Sequence, residues 1–204
     1  MAAGLIYRSS ALYELAMLGL YGRHYPSRYR AVAGLIPPRS SVLDLCCGPA
    51  VLYRRYLRQK SVEYTGLDIS EKFVRDLTRR GVHAEVWDLR QSDPLPPADC
   101  VVMQASLYHF LPDPLPVLGR MLAAARKQVI VAEPVRNLSS SKLPLLGPLA
   151  RRLTDPGVGS QPYRFTEGGL NDLMLSLGTR PPRTRLISGG REKLYVIEKS
   201  QAGA

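Results

Sequence analysis

Cysteine is scarce in this chain, and its placement argues against two kinds of site. Among 204 residues there are three cysteines, of which Cys46 and Cys47 are neighbours while Cys100 lies in another apolar segment. Three cysteines do not make a disulfide framework, and no Cys/His spacing typical of a zinc site occurs. The sequence therefore predicts no metal site and a reducing compartment, the cytoplasm.

Long apolar runs are also lacking. The N-terminal stretch "MAAGLIYRSSALYELAMLGLYG" is the most apolar segment, but Arg8 and Glu14 interrupt it. It falls short of the roughly 18 consecutive apolar residues that a membrane span needs, and it has no basic region of the kind that opens a signal peptide. Its apolar residues recur at helical spacing, which predicts an amphipathic helix.

Acidic residues are few compared with basic ones. The chain has 28 Lys and Arg against 17 Asp and Glu, a formal net charge of +11. Such a balance favours an anionic partner: nucleic acid, acidic lipid, or a phosphorylated or carboxylated substrate. A solvated, Arg-rich surface without a dedicated partner is the simpler explanation of the same count.

Two phosphate-binding motifs are missing from the place where they would be expected. The stretch "VLDLCCGPAVL", residues 42–52, reads as a buried strand, a tight turn and the start of a helix. It contains neither GxGxxG nor the P-loop pattern GxxxxGK[ST]. A ligand that binds through phosphates to this turn is therefore disfavoured.

The pattern from residue 41 onward is an alternation of strands and helices. "SVLDL", "VEYTGLDI", "HAEVW", "DCVVMQ" and "KQVIVAE" are typical of strands, and helical segments separate most of them. This predicts an α/β fold with a mostly parallel sheet covered by helices on both faces. "TEGGLNDLMLSLG" then predicts a last helix, and "RTRLIS" with "EKLYVIEK" a closing hairpin.

Three aspartates follow successive strands at one edge of this sheet. Asp44 lies at the end of the first strand, Asp68 ends the second, and Asp88 follows the third. Open α/β sheets bind ligands beyond the carboxyl ends of their strands, where an acid can accept hydrogen bonds from ribose hydroxyls. Gly48 permits the tight turn. The acidic Asp44 suits a ligand with ammonium and sulfonium groups, and S-adenosylmethionine fits that description.

The sequence resembles the class I S-adenosylmethionine-dependent methyltransferases of the Rossmann-like, small-molecule type. The resemblance covers roughly residues 39–199 and rests on "VLDLCCGPA", "YTGLDIS", "VWDLR", "ADCVVMQASLYHF" and the closing "YRFTEGGLNDLMLSLG". It implies a three-layer α-β-α sandwich with a seven-stranded sheet in the order 3-2-1-4-5-7-6, strand 7 antiparallel. It also implies a transferase that uses S-adenosylmethionine.

The resemblance also implies roles for individual residues. The turn would hold the methionine end of the cofactor, the second strand end the ribose, and the later segments the adenine and the methyl group. The residues so implied are Asp44, Cys46 and Gly48 (methionine end); Asp68 (ribose); Ile69, Asp88 and Leu89 (adenine); and Gln104 (near the methyl group). The sequence departs from the family at Cys46 and Ala50, which stand where the first motif has glycines, although a Cys-Cys-Gly form is similar to that of quinone-biosynthesis C-methyltransferases. The cysteines read as packing residues rather than nucleophiles, because no partner that would lower a thiol pKa accompanies them.

Candidate acceptor-side residues come from two segments. His109 in "SLYHF" is the candidate general base, with a pocket-wall or core position as its alternative, and Tyr108 is a candidate substrate contact. Residues 1–40 are expected to form a helical cap over a single domain of residues 41–204. Tyr21 and Tyr25 of that cap are candidate substrate contacts, with packing as the alternative.

The sequence narrows the chemical class of the methyl acceptor but does not identify the compound. No signature of base-amine or pyrimidine C5 methylation follows the fourth strand, which argues against DNA and more weakly against RNA. The irregular segment 134–165 mixes leucines with Arg151 and Arg152, as a cover for an apolar acidic metabolite or lipid would. An RNA-directed enzyme, a non-catalytic cofactor-binding partner protein and peripheral contact with an anionic membrane stay open as alternatives, and the oligomeric state stays open too.

Overall fold

The computed structural model describes residues 10–136 and 164–199. At the N-terminal end, α1 (Ser10–Tyr21) is followed by a short 3-10 turn and by α2 (Tyr25–Ala33). The predicted substrate cover lies mostly outside the described residues, as do the chain ends. No helix in the described part of the chain is long and apolar enough to cross a membrane.

The sheet confirms the expected topology. Its seven strands, within the described residues, have the order β3-β2-β1-β4-β5-β7-β6. Strands β1 to β5 pair in parallel, and β7 is antiparallel to both β5 and β6. The strands are β1 Ser41–Leu45, β2 Glu63–Asp68, β3 Ala84–Val86, β4 Ala98–Gln104, β5 Ala125–Pro134, β6 Arg183–Leu186 and β7 Glu192–Glu198.

Among the described residues, three further helices and two irregular helical segments connect the strands. The last helix forms as predicted, and helical segments separate most of the strands; the segment after β1 winds as a π turn followed by a 3-10 turn. The helices are α3 Glu71–Thr78, α4 Leu115–Ala124 and α5 Glu167–Leu175; the segments are Tyr53–Lys60 and Leu107–Phe110. Ser70 caps α3 by accepting a hydrogen bond from the Phe73 N–H, as its position before the helix predicts.

Alternate residues of the central strands face two separate cores, which gives the expected three layers. Val102 and Ile130 face one core, with α2 and the Tyr53–Lys60 segment, whereas Val101 and Val129 face the other, with α4 and α5. The carboxyl ends of β1, β2 and β4 thus meet at one edge, bounded by helices above and below the sheet.

Helix α2 is part of the first core. Its Tyr25, Tyr29 and Val32 are buried, and the Lys60 ammonium donates to the carbonyls of Ala33 and Ile36 at the end of the helix. The domain boundary at residue 40 stays a prediction, but α2 packs as an integral layer of the domain.

Candidate active site

The turn after β1 and the end of β2 are joined by Asp68. One carboxylate oxygen accepts the Gly48 N–H at 2.7 Å and the other accepts the Ser70 N–H at 2.8 Å. These two bonds lower the pKa of Asp68, but burial outweighs them and raises it. A carboxylate offers about four lone-pair positions, so both oxygens retain capacity to accept ligand hydroxyls.

Asp44 is the second acid of this edge. Its side chain is 4% exposed and accepts a hydrogen bond from the Tyr64 hydroxyl at 2.8 Å. Burial raises the pKa of Asp44 to about 7, against the Tyr64 bond, which lowers it, and with a further rise from the charge of Asp68. No lysine or arginine within the described residues forms an ion pair with Asp44 or Asp68. Two buried, neighbouring acids without a cation favour a cationic, hydroxyl-bearing ligand.

The turn itself is built from left-handed backbone. Cys46, Gly48 and Ala50 have φ values of 54°, 55° and 49°. Only Gly48 adopts such a conformation without steric cost, because the other two carry a Cβ. The two positions where the sequence departs from glycine are therefore the two strained positions of the turn.

The two cysteines of the turn are partly buried and pack against the two cores. Burial raises the pKa of both the Cys46 and the Cys47 thiols, and the negative charge of Asp68 raises them further. A Cβ on Gly66 would come within 2.8 Å of the Cys47 sulfur, so glycine is needed beneath it. Both thiols are protonated near neutral pH, which fits packing and not nucleophilic attack.

The candidate adenine contacts fall into two groups. Ile69 is 38% exposed next to Asp68, whereas Leu89 is buried. Asp88 follows β3, but its carboxylate accepts from the main chain and the guanidinium of Arg90, at 2.8–3.0 Å. Those bonds lower the pKa of Asp88. An adenine amino group would share this carboxylate with Arg90, so the role of Asp88 stays a prediction.

Comparison with known proteins agrees with this geometry. Residues 42–128 match a family model described as a methyltransferase domain. Trans-aconitate 2-methyltransferase of Mycolicibacterium gilvum is 38% identical over 93 residues, which cover 45% of this chain and 35% of that protein. The chain thus spans about a third of the length of this curated relative.

Over residues 42–128 the chain is similar to methyltransferase domains.

Solved methyltransferase structures share the fold over nearly the whole chain. The magnesium protoporphyrin IX methyltransferase of Synechocystis, crystallised with S-adenosylhomocysteine, has a TM-score of 0.67 and 16% identity, and covers 96% of this chain and 97% of its own. A possible histamine N-methyltransferase of Thermotoga maritima has a TM-score of 0.65 and 19% identity, with 96% and 98% covered. At such identities the likeness establishes the fold alone.

Glu133 is a site residue that the sequence reasoning missed. It lies near the end of β5, fully buried, and accepts the N–H groups of Ser106 and Leu107 at 3.0 Å and of Tyr108 at 3.4 Å. Burial raises its pKa to about 8, assisted by the charge of Glu192. The available signal was an acid after the apolar run "VIVA", at the same sheet edge as Asp44 and Asp68.

Glu133 holds the 3-10 turn that carries the acceptor-side candidates. The ring of Tyr108 lies 4.0 Å from that of His109, and the Arg164 guanidinium lies 3.9 Å from the Tyr108 ring centre. Gln104, at the end of β4, donates to the carbonyl of Arg28 in α2 at 3.5 Å. The structure therefore brings His109, Tyr108 and Gln104 to the edge where Asp44 and Asp68 lie.

The two candidate tyrosines of the N-terminal segment differ in their burial and their contacts. Tyr25 is 2% exposed and packs edge-on against Tyr29, so packing is the role that its geometry supports. Tyr21 is partly buried beneath the guanidinium of Arg28, which forms a buried ion pair with Glu192 at 2.8 Å. The substrate roles of both tyrosines stay predictions.

Proposed function

We propose that this protein binds S-adenosylmethionine and transfers its methyl group to a small-molecule acceptor that carries an acidic group. The binding of S-adenosylmethionine is supported above all by the placement of Asp44 and Asp68. Both are buried at the carboxyl edge of the sheet, on either side of the Gly48 turn, without an ion-pair partner among the described residues.

The side chains at this edge of the sheet suit the chemical groups of the cofactor. Asp68 would accept the ribose hydroxyls, Asp44 would face the cationic methionine end, and Ile69 would offer an apolar surface to the adenine. A pyrophosphate-bearing cofactor would meet two buried acids here, and electrostatic repulsion disfavours it. When bound, S-adenosylmethionine supplies an electrophilic methyl group on its sulfonium sulfur.

The chain's own residues would then align the acceptor. The turn held by Glu133 presents Tyr108 and His109 to one side of the edge, and His109 would take a proton from a hydroxyl or amine acceptor. An acceptor that already carries a carboxylate needs no base, and for it the main contribution would be orientation. The guanidinium of Arg164 lies over the ring of Tyr108 and would place a positive charge beside the acceptor.

The proposal that the acceptor carries an acidic group rests on two observations. The curated relative is named trans-aconitate 2-methyltransferase, and the residues around Tyr108 include the Arg164 guanidinium, which suits a carboxylate. Neither observation selects one acid, so trans-aconitate is the first acceptor to try among several small polycarboxylic acids.

The cofactor half is tested by calorimetric titration of S-adenosylhomocysteine into the wild type, Asp68→Ala and Asp93→Ala. Asp93 is an exposed loop acid and serves as the matched control. Loss of hydrogen bonds to a charged group costs roughly 1.5–3 kcal/mol, so Asp68→Ala should bind at least about tenfold more weakly. An Asp68→Ala protein that binds as well as the wild type would remove Asp68 from the site.

The acceptor half is tested by following the formation of S-adenosylhomocysteine with a panel of small carboxylic acids, amines and phenols. Turnover with acids and with neither of the other classes is expected. If the protein binds the cofactor but turns over only amines or phenols, the acidic acceptor is wrong while the cofactor assignment stands.

A further inference from the structure

A concave site is formed by the segment after β1 and the turn after α3. This cleft of about 370 Å³ is lined by Tyr53, Arg54, Arg55, Arg58, Arg80, Gly81 and Val82. Residues 80–82 lead into β3 at the amino ends of the parallel strands, whereas Asp44 and Asp68 lie at the carboxyl ends. The cleft is therefore not a part of the cofactor site.

Two separate elements bring the arginines together. Arg54, Arg55 and Arg58 project from the π and 3-10 turns after β1, and Arg80 comes from the turn after α3. Beneath them Leu57 and Val82 are buried, and the Tyr53 ring stacks on Tyr64 with 4.4 Å between centroids. The cleft thus has a floor anchored in the core.

The charge of the cleft is only partly balanced. Glu14 of α1 contacts both Arg54 and Arg55, and Arg54 also donates to the Pro49 carbonyl at 3.3 Å. For Arg58 and Arg80, no acidic side chain in the described part of the chain lies within ion-pair distance. Four guanidinium groups against one carboxylate leave a local formal charge of +3.

We propose that this cleft binds the paired phosphate groups of a small molecule. Planar guanidinium groups bind phosphate oxygens in a bidentate manner, and several of them around one cleft offset the charge of a diphosphate. The volume is at the small end of ligand pockets, which suits a compact ligand better than an extended strand of nucleic acid. Arg58 and Arg80 are the primary contacts, and Arg54 and Arg55 join them at the side nearer to α1.

The test uses the full chain and inorganic pyrophosphate as the probe. Calorimetric titrations at constant ionic strength compare the wild type with R58Q/R80Q and with R126Q/R183Q. The control pair removes the same charge from two exposed arginines outside the cleft. We expect the wild type to bind pyrophosphate more tightly than sulfate, R58Q/R80Q to lose at least about tenfold, and the control pair to change less than about twofold.

Two further measurements identify the source of the phosphates and separate this site from the cofactor site. If the protein sediments with vesicles containing phosphatidylinositol bisphosphate and pyrophosphate competes, the phosphate groups belong to a lipid headgroup. If it binds free pyrophosphate but not the vesicles, the ligand is a soluble metabolite. R58Q/R80Q should bind S-adenosylhomocysteine like the wild type, so that failure here leaves the proposed function intact.

Three results would overturn the proposal. The first is a wild type that binds pyrophosphate no better than sulfate, and the second is an equal loss in the two double variants, which would indicate net charge alone. The third is tight, strongly salt-dependent binding of single-stranded RNA that R58Q/R80Q abolishes while pyrophosphate does not bind, since the cleft would then belong to a nucleic-acid surface.

Discussion

The hydroxyl of Tyr64 donates a hydrogen bond to the buried carboxylate of Asp44 across 2.8 Å. Strands β1 and β2 pair in parallel with Val42 opposite Tyr64 and Asp44 opposite Gly66, so the missing side chain at Gly66 leaves room for this contact. Burial raises the pKa of Tyr64 well above its usual value, which keeps the phenol protonated and the donor in place. The bond favours the ionised form of Asp44 against the effect of burial.

The first prediction is that Tyr64→Phe shifts the pH dependence of cofactor binding upward. On the proposed function the ionised form of Asp44 faces a cation, so affinity should rise with pH through the pKa of about 7. Loss of a hydrogen bond to a charged group costs roughly 1.5 kcal/mol or more, which raises that pKa by about one unit. Titrations of S-adenosylhomocysteine across the pH range measure the midpoint.

Tyr56→Phe is the control for this change, because Tyr56 stacks on Tyr29 and its ring is kept in the same way. It should leave the midpoint where it is in the wild type. A Tyr64→Phe protein whose midpoint coincides with that of the control would mean that Asp44 does not govern binding.

The second prediction concerns stability without ligand. Burial raises the pKa of Asp44 from 3.8 to about 7 and that of Glu133 from 4.5 to about 8. Between those values the folded state binds more protons than the unfolded chain does. These two groups therefore make the free energy of unfolding fall as pH rises from about 4 to about 8, and their full contribution is present at the acid end.

Urea unfolding at a series of pH values measures this fall. Glu133→Gln should flatten it toward the alkaline end, because an amide does not ionise, whereas Glu63→Gln at the exposed start of β2 should keep the wild-type slope. A Glu133→Gln protein with the slope of the wild type would show that Glu133 stays ionised throughout, with its three N–H partners outweighing burial.

The third prediction concerns the strained turn. Ala50 is fully buried with φ of 49°, and Ala132 in β5 is buried to the same extent in extended backbone. An Ala to Gly change loses a buried methyl group and adds chain entropy at both positions, but only at position 50 does it relieve a left-handed strain of about 1–2 kcal/mol. Ala132→Gly should therefore destabilise the protein by about 1–2 kcal/mol more than Ala50→Gly. Equal losses in chemical denaturation would show that the turn carries no strain.

Local patterns predicted most of the fold. Each predicted strand forms, and the sheet order follows the family that "VLDLCCGPA" and "YTGLDIS" resemble. Asp44 and Asp68 could be placed at one edge because parallel strands align their carboxyl ends. The hydrogen bond from the Gly48 N–H to Asp68 needed the structure, since a turn's hydrogen bonds depend on backbone angles that Cys46 and Ala50 do not suggest.

Contacts between residues distant in the sequence could not be predicted from it. Arg28 and Glu192 are 164 residues apart, and only the packing of α2 against β7 pairs them. Glu133 acts on a turn 25–27 residues before it because β4 and β5 are adjacent in the sheet. Similarly, the arginine cleft needs the turn after α3 to lie beside the segment after β1.

The last prediction separates a lid from a structural layer at the N-terminus. Deleting residues 1–21 removes α1 with Glu14 and Tyr21, whereas deleting residues 1–33 also removes α2. If the N-terminal segment covers the site, the shorter deletion should weaken binding of S-adenosylhomocysteine while the chain still unfolds cooperatively. The longer deletion should lose the fold, because it removes the core residues Tyr25 and Val32 and leaves Glu192 a buried charge without Arg28, a cost of about 3–5 kcal/mol.

Circular dichroism during urea unfolding and calorimetric titration give the two readouts, and Tyr21→Ala is the point variant that matches the shorter deletion. If the protein without residues 1–21 binds the cofactor like the wild type and retains its turnover, α1 is no lid. If the protein without residues 1–33 folds with wild-type stability, the Arg28–Glu192 pair and the tyrosine packing of α2 contribute nothing net, and the domain begins at residue 41 as the sequence predicts.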